Sequence, residues 1–257
     1  MASYLERIVD RHRAAARSDR RPVDRLVAEA EDQPPARPFR AALTAPGLGV
    51  IAEVKRRSPS KGDLAPLLDP AVLAKDYASG GAACVSVLTD EEFFGGSVAD
   101  LQAARAAVEL PVLRKDFTVS DRDVCDARIM GADAVLLIAA ALDDDELFAF
   151  RALAGEHGLA ALVEVHDEAE LERALTAGAD LVGVNQRDLT TFEVDRGLAT
   201  SLAPLIPDGV VKVVESGIRD RRDAEEALAF GYDAILVGET LVTAADVPAT
   251  VRELTCS

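Results

Sequence analysis

The 257-residue chain is poor in cysteine, in histidine and, among its cations, in lysine. Each scarcity removes a class of function. Cys84, Cys125 and Cys256 are odd in number and lack C-x-x-C spacing, which argues against a disulfide framework or a thiolate zinc site and for reduced thiols in a cytoplasm. The only histidines are His12, His157 and His166. Glu164 and His166 share a face at the end of one apolar run, but without a third ligand no metal centre is expected. No apolar run approaches the roughly 20 residues that cross a bilayer. The start, "MASYLERIVDRHRAAARSDRR", has no continuous apolar stretch of the kind a secretory leader carries. A formal charge of -17 argues against binding nucleic acid or an anionic membrane, which needs basic patches. Neither is expected as a partner.

The lysines are Lys55, Lys61, Lys75, Lys115 and Lys212; every other strong cation is arginine. In such a chain, a lysine inside an apolar run suggests a need for a compact, titratable ammonium. Lys55 is one of these. "GVIAEVKRRSPSKGDLAP" begins as a buried strand, yet Glu53 and Lys55 interrupt it two residues apart, on one face. Unpartnered buried charge is costly, so partners must come from elsewhere in the chain.

A repeating unit shows where. "GGAACVSVLTD", "GADAVLLIAA", "GADLVGVNQRD" and "GYDAILVGET" each join a helix-ending Gly to a small residue, often an Asp, and an apolar run. Gly suits the left-handed position past a helix, and the run suits a strand buried on both faces. Helical patterns such as "DEAELERALTA" precede them. The strands fall at Val50–Lys55, Cys84–Thr89, Pro111–Asp116, Ala134–Ala139, Ala160–His166, Leu181–Asn185, Val210–Glu215 and Ala234–Gly238. Eight βα units in about 210 residues predict an α/β fold, a closed (β/α)8 TIM barrel. An open doubly wound sheet is the alternative, although "KRRSPSKG" lacks the G-x-G-x-x-G turn such sheets often carry. Residues 1–46 form an N-terminal helical extension, with "YLERIVDRHRAAA" and "PVDRLVAEAED" as helices broken by "DQPPARPF". One barrel domain is expected over 1–257, with the extension packed against it.

Barrel chemistry sits at the C-terminal strand ends. There the first strand offers Glu53 and Lys55, the third Lys115, the fifth Glu164, the sixth Asn185 and Arg187, and the seventh Glu215. Each of these strands turns polar only near its last residues. Pointing inward, they form a ring of three negative and three positive charges, which supplies the partners that Glu53 and Lys55 lack. "ESGIRD" and "VGET" put Ser216, Gly217 and Gly238 just before helices, where backbone N–H groups bind phosphate. Glu239 is awkward there, since a carboxylate repels phosphate unless it turns away.

The run of "IAEVKRRSPSKG", "SVLTDEEFFGGS", "LRKDF", "LVEVH", "GVNQRDL", "ESGI" and "VGET", in this order from Gly49 to Thr240, closely resembles the indole-3-glycerol-phosphate synthases. The resemblance implies closure of 1-(2-carboxyphenylamino)-1-deoxyribulose 5-phosphate to indole-3-glycerol phosphate, with loss of carbon dioxide and water. It implies no metal and no organic cofactor. On matching positions it implies Lys115 as general acid, Glu164 as general base, Lys55 as carboxylate holder and aid to dehydration, and Glu53 as an assistant through the network. Asn185, Arg187, Glu215 and Ser216 would bind and orient. Phosphate would lie at Ser216–Gly217 and Gly238–Glu239, with Ser58 near the substrate and Pro59 and Phe117 walling its aromatic ring. Two places depart from the commonest family pattern: Gln186, where a smaller residue is frequent, and Glu239–Thr240, a stretch often written with Ser. They leave the phosphate contacts open. A mobile loop is expected over Arg56–Leu67, and a monomer, with a homodimer as the alternative.

Three rivals use the same residues. A Schiff-base enzyme would make Lys115 or Lys55 a nucleophile toward a sugar phosphate. A sugar-phosphate isomerase would have no use for both lysines, and a non-catalytic barrel would bind the phosphorylated ligand without releasing carbon dioxide. "DDDE" at Asp143–Glu146 looks metal-binding but sits where a helix begins, and carboxylates there suit the dipole. Cys84 reads as core.

Overall fold

The structure, a computed structural model, describes residues 4–188 and 190–256. Its strands are β1 (Gly49–Val54), β2 (Cys84–Leu88), β3 (Val112–Lys115), β4 (Ala134–Ile138), β5 (Ala160–Val165), β6 (Leu181–Asn185), β7 (Val211–Glu215) and β8 (Ala234–Val237). They pair in chain order, in parallel, and β8 closes on β1. Each expected strand is present with its ends within one residue, and closure rules out the open sheet.

Period-two alternation splits every strand into two apolar layers. Ile51, Leu113, Leu136, Leu162, Val213 and Leu236 fill the barrel, with Cys84 among them, while Val50, Val85, Val135, Leu137 and Val163 pack outward against helices. The repeated Gly-small-Asp unit has a job for each residue. Gly81, Gly131, Gly178 and Gly231 take φ between 81° and 93° as a helix ends. Asp133 Oδ2 then accepts the Val112 N–H at 2.9 Å, and Asp233 Oδ2 the Lys212 N–H at 2.8 Å. The acid at the foot of one strand thus holds the start of the strand before it.

Part of the negative charge caps helices. Asp69, Asp143, Asp167, Asp220 and Asp246 each accept a first-turn N–H, worth about 1 kcal/mol apiece. Within "DDDE", Asp143 and Glu146 close a capping box on the helix Asp144–Glu156.

The extension touches both ends of the barrel. Helix α1 (Tyr4–Ser18) lies over the C-terminal loops: Tyr4 meets Phe93 and Phe192 edge-on, and Arg13 holds both Glu146 oxygens at 2.7 Å. Helix α2 (Val23–Glu31) packs Leu26 and Ala30 on Cys125. Helix α3 (Phe39–Leu43) inserts Phe39 and Leu43 into the lower end of the inner layer.

Candidate active site

A cavity of about 450 Å³ opens at the C-terminal strand ends. Every site residue expected from the sequence lines it: Glu53, Lys55, Ser58, Pro59, Lys115, Phe117, Glu164, Asn185, Arg187, Glu215, Ser216, Gly217, Gly238 and Glu239. Parallel register sets the level of the central ones. Glu164 of β5 stands beside Gly183 of β6, and Asn185 of β6 beside Glu215 of β7.

The buried charges pair across strands. Lys115 Nζ lies 2.8 Å from Glu164 Oε2 and 3.0 Å from Glu215 Oε2. Lys55 Nζ lies 2.5 Å from Glu53 Oε2. Asn185 donates to Glu164 Oε1 at 3.1 Å, and its own oxygen accepts from the Ser216 hydroxyl at 2.8 Å. A continuous path therefore runs Ser216–Asn185–Glu164–Lys115–Glu215. Glu215 Oε1 is buried and has no hydrogen-bond partner among the described residues.

The ring of charges differs from expectation in one member. Arg187 lines the cavity, but its Nη1 donates to the Phe192 carbonyl at 2.9 Å. The third cation against the carboxylates is His166, whose Nε2 is 3.4 Å from Glu164 Oε1, an ion-pair distance without hydrogen-bond alignment. Its Nδ1 is 3.1 Å from Glu170. The shared face of Glu164 and His166 signals this pairing in the sequence, where it reads as a deficient metal site.

Burial would lower the Lys115 ammonium, but Glu164, Glu215 and Glu53 outweigh it and keep it protonated well above its ordinary range. Burial would raise the Glu164 carboxyl, but Lys115 and His166 hold it ionised well below its ordinary range. One ammonium cannot serve two carboxylates equally. Burial, joined by the charge on Glu164, pushes Glu215 up to about 7 against the pull of Lys115. With Lys115 protonated and Glu164 ionised, Glu215 is the member of the trio that titrates nearest neutrality, as part of the coupled set.

Burial works against the imidazolium of His166, yet Glu164 and Glu170 push it up to about 10 from an ordinary 6.5. A raised folded value means stability complete below about pH 6.5 and lost as pH rises through about 10. The melting temperature of the wild type should therefore fall across that window more steeply than that of a His166→Asn variant. Parallel curves would remove His166 from the network.

Two glycines make room for these carboxylates. A methyl group at Gly183 would collide with Glu215 Oε1, and one at Gly238 with Glu53 Oε2 and Lys55 Nζ. Gly183→Ala should destabilise by the roughly 1–3 kcal/mol typical of an overfilled core and lower turnover by moving Glu215 off Lys115. An unchanged denaturation midpoint with unchanged turnover would mean that Glu215 moves aside freely.

The segment expected as a mobile loop holds a short hairpin, Arg57–Ser58 against Gly62–Asp63. Arg56 braces it, binding Asp100 at 2.9 Å and the Pro66 and Leu68 carbonyls. The hairpin delivers Lys61 to Glu239, and this ion pair offsets the carboxylate that stands next to Gly238. Ser216 and Gly217 both take positive φ, 66° and 81°, and turn the chain sharply just past β7. Arg196 and Arg219, which also line the cavity, are bound to Asp223. Lys61, Arg196 and Arg219 are cavity cations the sequence did not single out, since only the folded loops bring them there.

A model of the family "Indole-3-glycerol phosphate synthase" matches residues 5–254. A relative of that name from Parafrankia sp. (strain EAN1pec) is 52% identical over 252 residues, covering 97% of this chain and 94% of that one. Another from Nocardioides sp. (strain ATCC BAA-499 / JS614) is 56% identical over 235 residues, covering 90% and 89%. Among solved structures, a 3-hexulose-6-phosphate synthase has a TM-score of 0.62 at 16% identity, covering 81% of this chain and 98% of that one. A thiamine phosphate pyrophosphorylase from Pyrococcus furiosus has a TM-score of 0.61 at 20% identity, covering 80% and 93%. At these identities the structural likeness speaks for the barrel alone.

Proposed function

The chain belongs to the indole-3-glycerol phosphate synthase family, and from that premise we infer how its rim residues divide the reaction. The protein is the decarboxylating, ring-closing lyase of tryptophan biosynthesis. It converts 1-(2-carboxyphenylamino)-1-deoxyribulose 5-phosphate to indole-3-glycerol phosphate, carbon dioxide and water.

Ring closure needs a proton at the ketone oxygen as the carboxyl-bearing ring carbon attacks the ketone carbon. Lys115, held protonated between Glu164 and Glu215, supplies it. The carbon–carboxylate bond then breaks and its electron pair restores the aromatic ring. Dehydration follows: the new hydroxyl leaves as water with a proton from Lys55, and Glu164, ionised throughout the working range, removes a proton so that the indole double bond forms. Before that, Lys55 pairs with the substrate carboxylate, with Glu53 returning it to register at 2.5 Å. Glu215, whose Oε2 holds Lys115, helps to bind and orient the substrate, and Asn185 holds Glu164 in line. Phosphate sits at Ser216–Gly217 and Gly238–Glu239, with Lys61 offsetting the Glu239 charge and Arg187 and Ser58 beside the chain of the substrate. Pro59 and Phe117 face its aromatic ring.

The single observation that carries this assignment is the Lys115 ammonium bound to two carboxylates from different strands. A neutral amine nucleophile would require the opposite environment, one that lowers the ammonium. Indole fluorescence should rise when the anilino-deoxyribulose phosphate is added, equally with and without chelator, and borohydride should trap no adduct. A covalent adduct on Lys115, or binding without carbon dioxide release, would replace the assignment. Among the described residues no helix is long and apolar enough to cross a membrane. The unpaired Cys84, Cys125 and Cys256 fit the cytoplasm, and the protein acts as a monomer, which sedimentation would test.

A further inference from the structure

His12 of α1 lies outside the cavity lining yet sits between two carboxylates that line it. Its Nε2 is 3.0 Å from Asp90 Oδ2 and 3.8 Å from Asp116 Oδ1. Asp90 spends its other oxygen on the Phe93 N–H at 2.6 Å, capping the short helix Glu91–Phe94 that presents Phe94 to the cavity. Asp116 spends Oδ1 on the Phe117 N–H at 2.8 Å. Each carboxylate therefore sets the backbone that carries one aromatic ring. The His12 ring also packs on Phe117, with centroids 5.4 Å apart, and Phe117 lies 6.3 Å from Phe94.

We propose that His12 is a positioning residue for the aryl end of the site: by holding Asp90 through Nε2 while its ring packs on Phe117 beside Asp116, it fixes the spacing of Phe94 and Phe117, the rings that receive the carboxyphenyl group of the substrate. The proposal rests on the function assigned above and adds to it a residue from the N-terminal extension. The balance of charge supports a clamp over a bound cation. His12, Asp90 and Asp116 come close enough for a metal, but Arg11 already stands 3.5 Å from Asp90 and Arg114 3.0 Å from Asp116, and Thr89 also donates to Asp116. These arginines supply the positive charge that two adjacent carboxylates need.

The test separates the two halves of the substrate. Steady-state constants are measured for the wild type, His12→Ala and His12→Lys. Inhibition is measured with 2-aminobenzoate as a ring probe and glycerol 3-phosphate as a phosphate probe. His12→Ala should raise KM about tenfold while kcat stays within about threefold, the pattern of lost binding with the chemistry intact. It should weaken 2-aminobenzoate and leave glycerol 3-phosphate unchanged. His12→Lys, which returns a cationic donor to the same place on α1, should recover most of the ring affinity. Unchanged ring affinity in His12→Ala, equal loss of both probes, no recovery in His12→Lys, or loss of ring affinity in chelator-dialysed wild type would each overturn the proposal. Should His12→Ala fail to fold, His12→Leu fills the space without donating and is read the same way. An inactive wild type would sink the assigned function, whereas an active enzyme indifferent to position 12 sinks only this clamp.

Discussion

Lys115→Ala is expected to lower kcat by at least the roughly 10²–10⁴-fold that a positioned general acid contributes, with the barrel still folded. The ammonium stands at the cavity wall, so its loss opens no void in the apolar layers. It does leave Glu164 and Glu215 without the ammonium between them, with only His166 still beside Glu164. Two adjacent buried carboxylates respond by holding a proton to higher pH. A carboxyl whose folded value is raised contributes stability that is present below its unfolded value, ordinarily near 4.5, and lost as pH rises through the folded one. The variant should therefore approach wild-type stability in mild acid and fall behind it as the solution becomes alkaline. Circular dichroism melts at several pH values separate this from a general folding defect. Turnover within a few-fold of wild type, in a folded sample, would withdraw the acid role from Lys115.

Glu164→Gln should cost turnover on a similar scale, about 10²–10⁴-fold, for a different reason. The amide keeps the shape but cannot take a proton. It also removes the like charge that helps to raise Glu215, so the Glu215 carboxyl should titrate lower than about 7. Any acid limb of the pH–rate profile that belongs to the trio must then move toward lower pH. The limb is a property of the coupled set and not of one residue. Residual activity with an unshifted profile would show that Glu164 neither accepts the proton nor tunes its neighbour.

What the sequence made legible was decided by strand periodicity. Glu53, Lys115, Glu164 and Glu215 each follow a core residue two positions earlier, Ile51, Leu113, Leu162 and Val213, so their face and their height on the barrel could be read together. What escaped the reading depends on loops, whose paths have no such period. Nothing local tells that Lys61 meets Glu239 across 178 positions, or that α1 folds back over the mouth to bring His12 against Asp90. Arg187 illustrates the boundary between the two. Its place just past β6 was readable, but its partner was not, because the turn that brings the Phe192 carbonyl to it is set only in the folded chain. His166 is visible in the sequence as a same-face neighbour of Glu164 and there reads as one ligand short of a metal site, since the two residues alone do not reveal Glu170 as the partner of its other nitrogen.

Grafting the Lys–Glu–Glu trio onto another eight-stranded scaffold would require transplanting an emptiness as well. The notch left by the bare backbone at position 183 is where one of the acids rests its oxygen, so a recipient with any larger group there would carry all three charges and still hold them in the wrong arrangement.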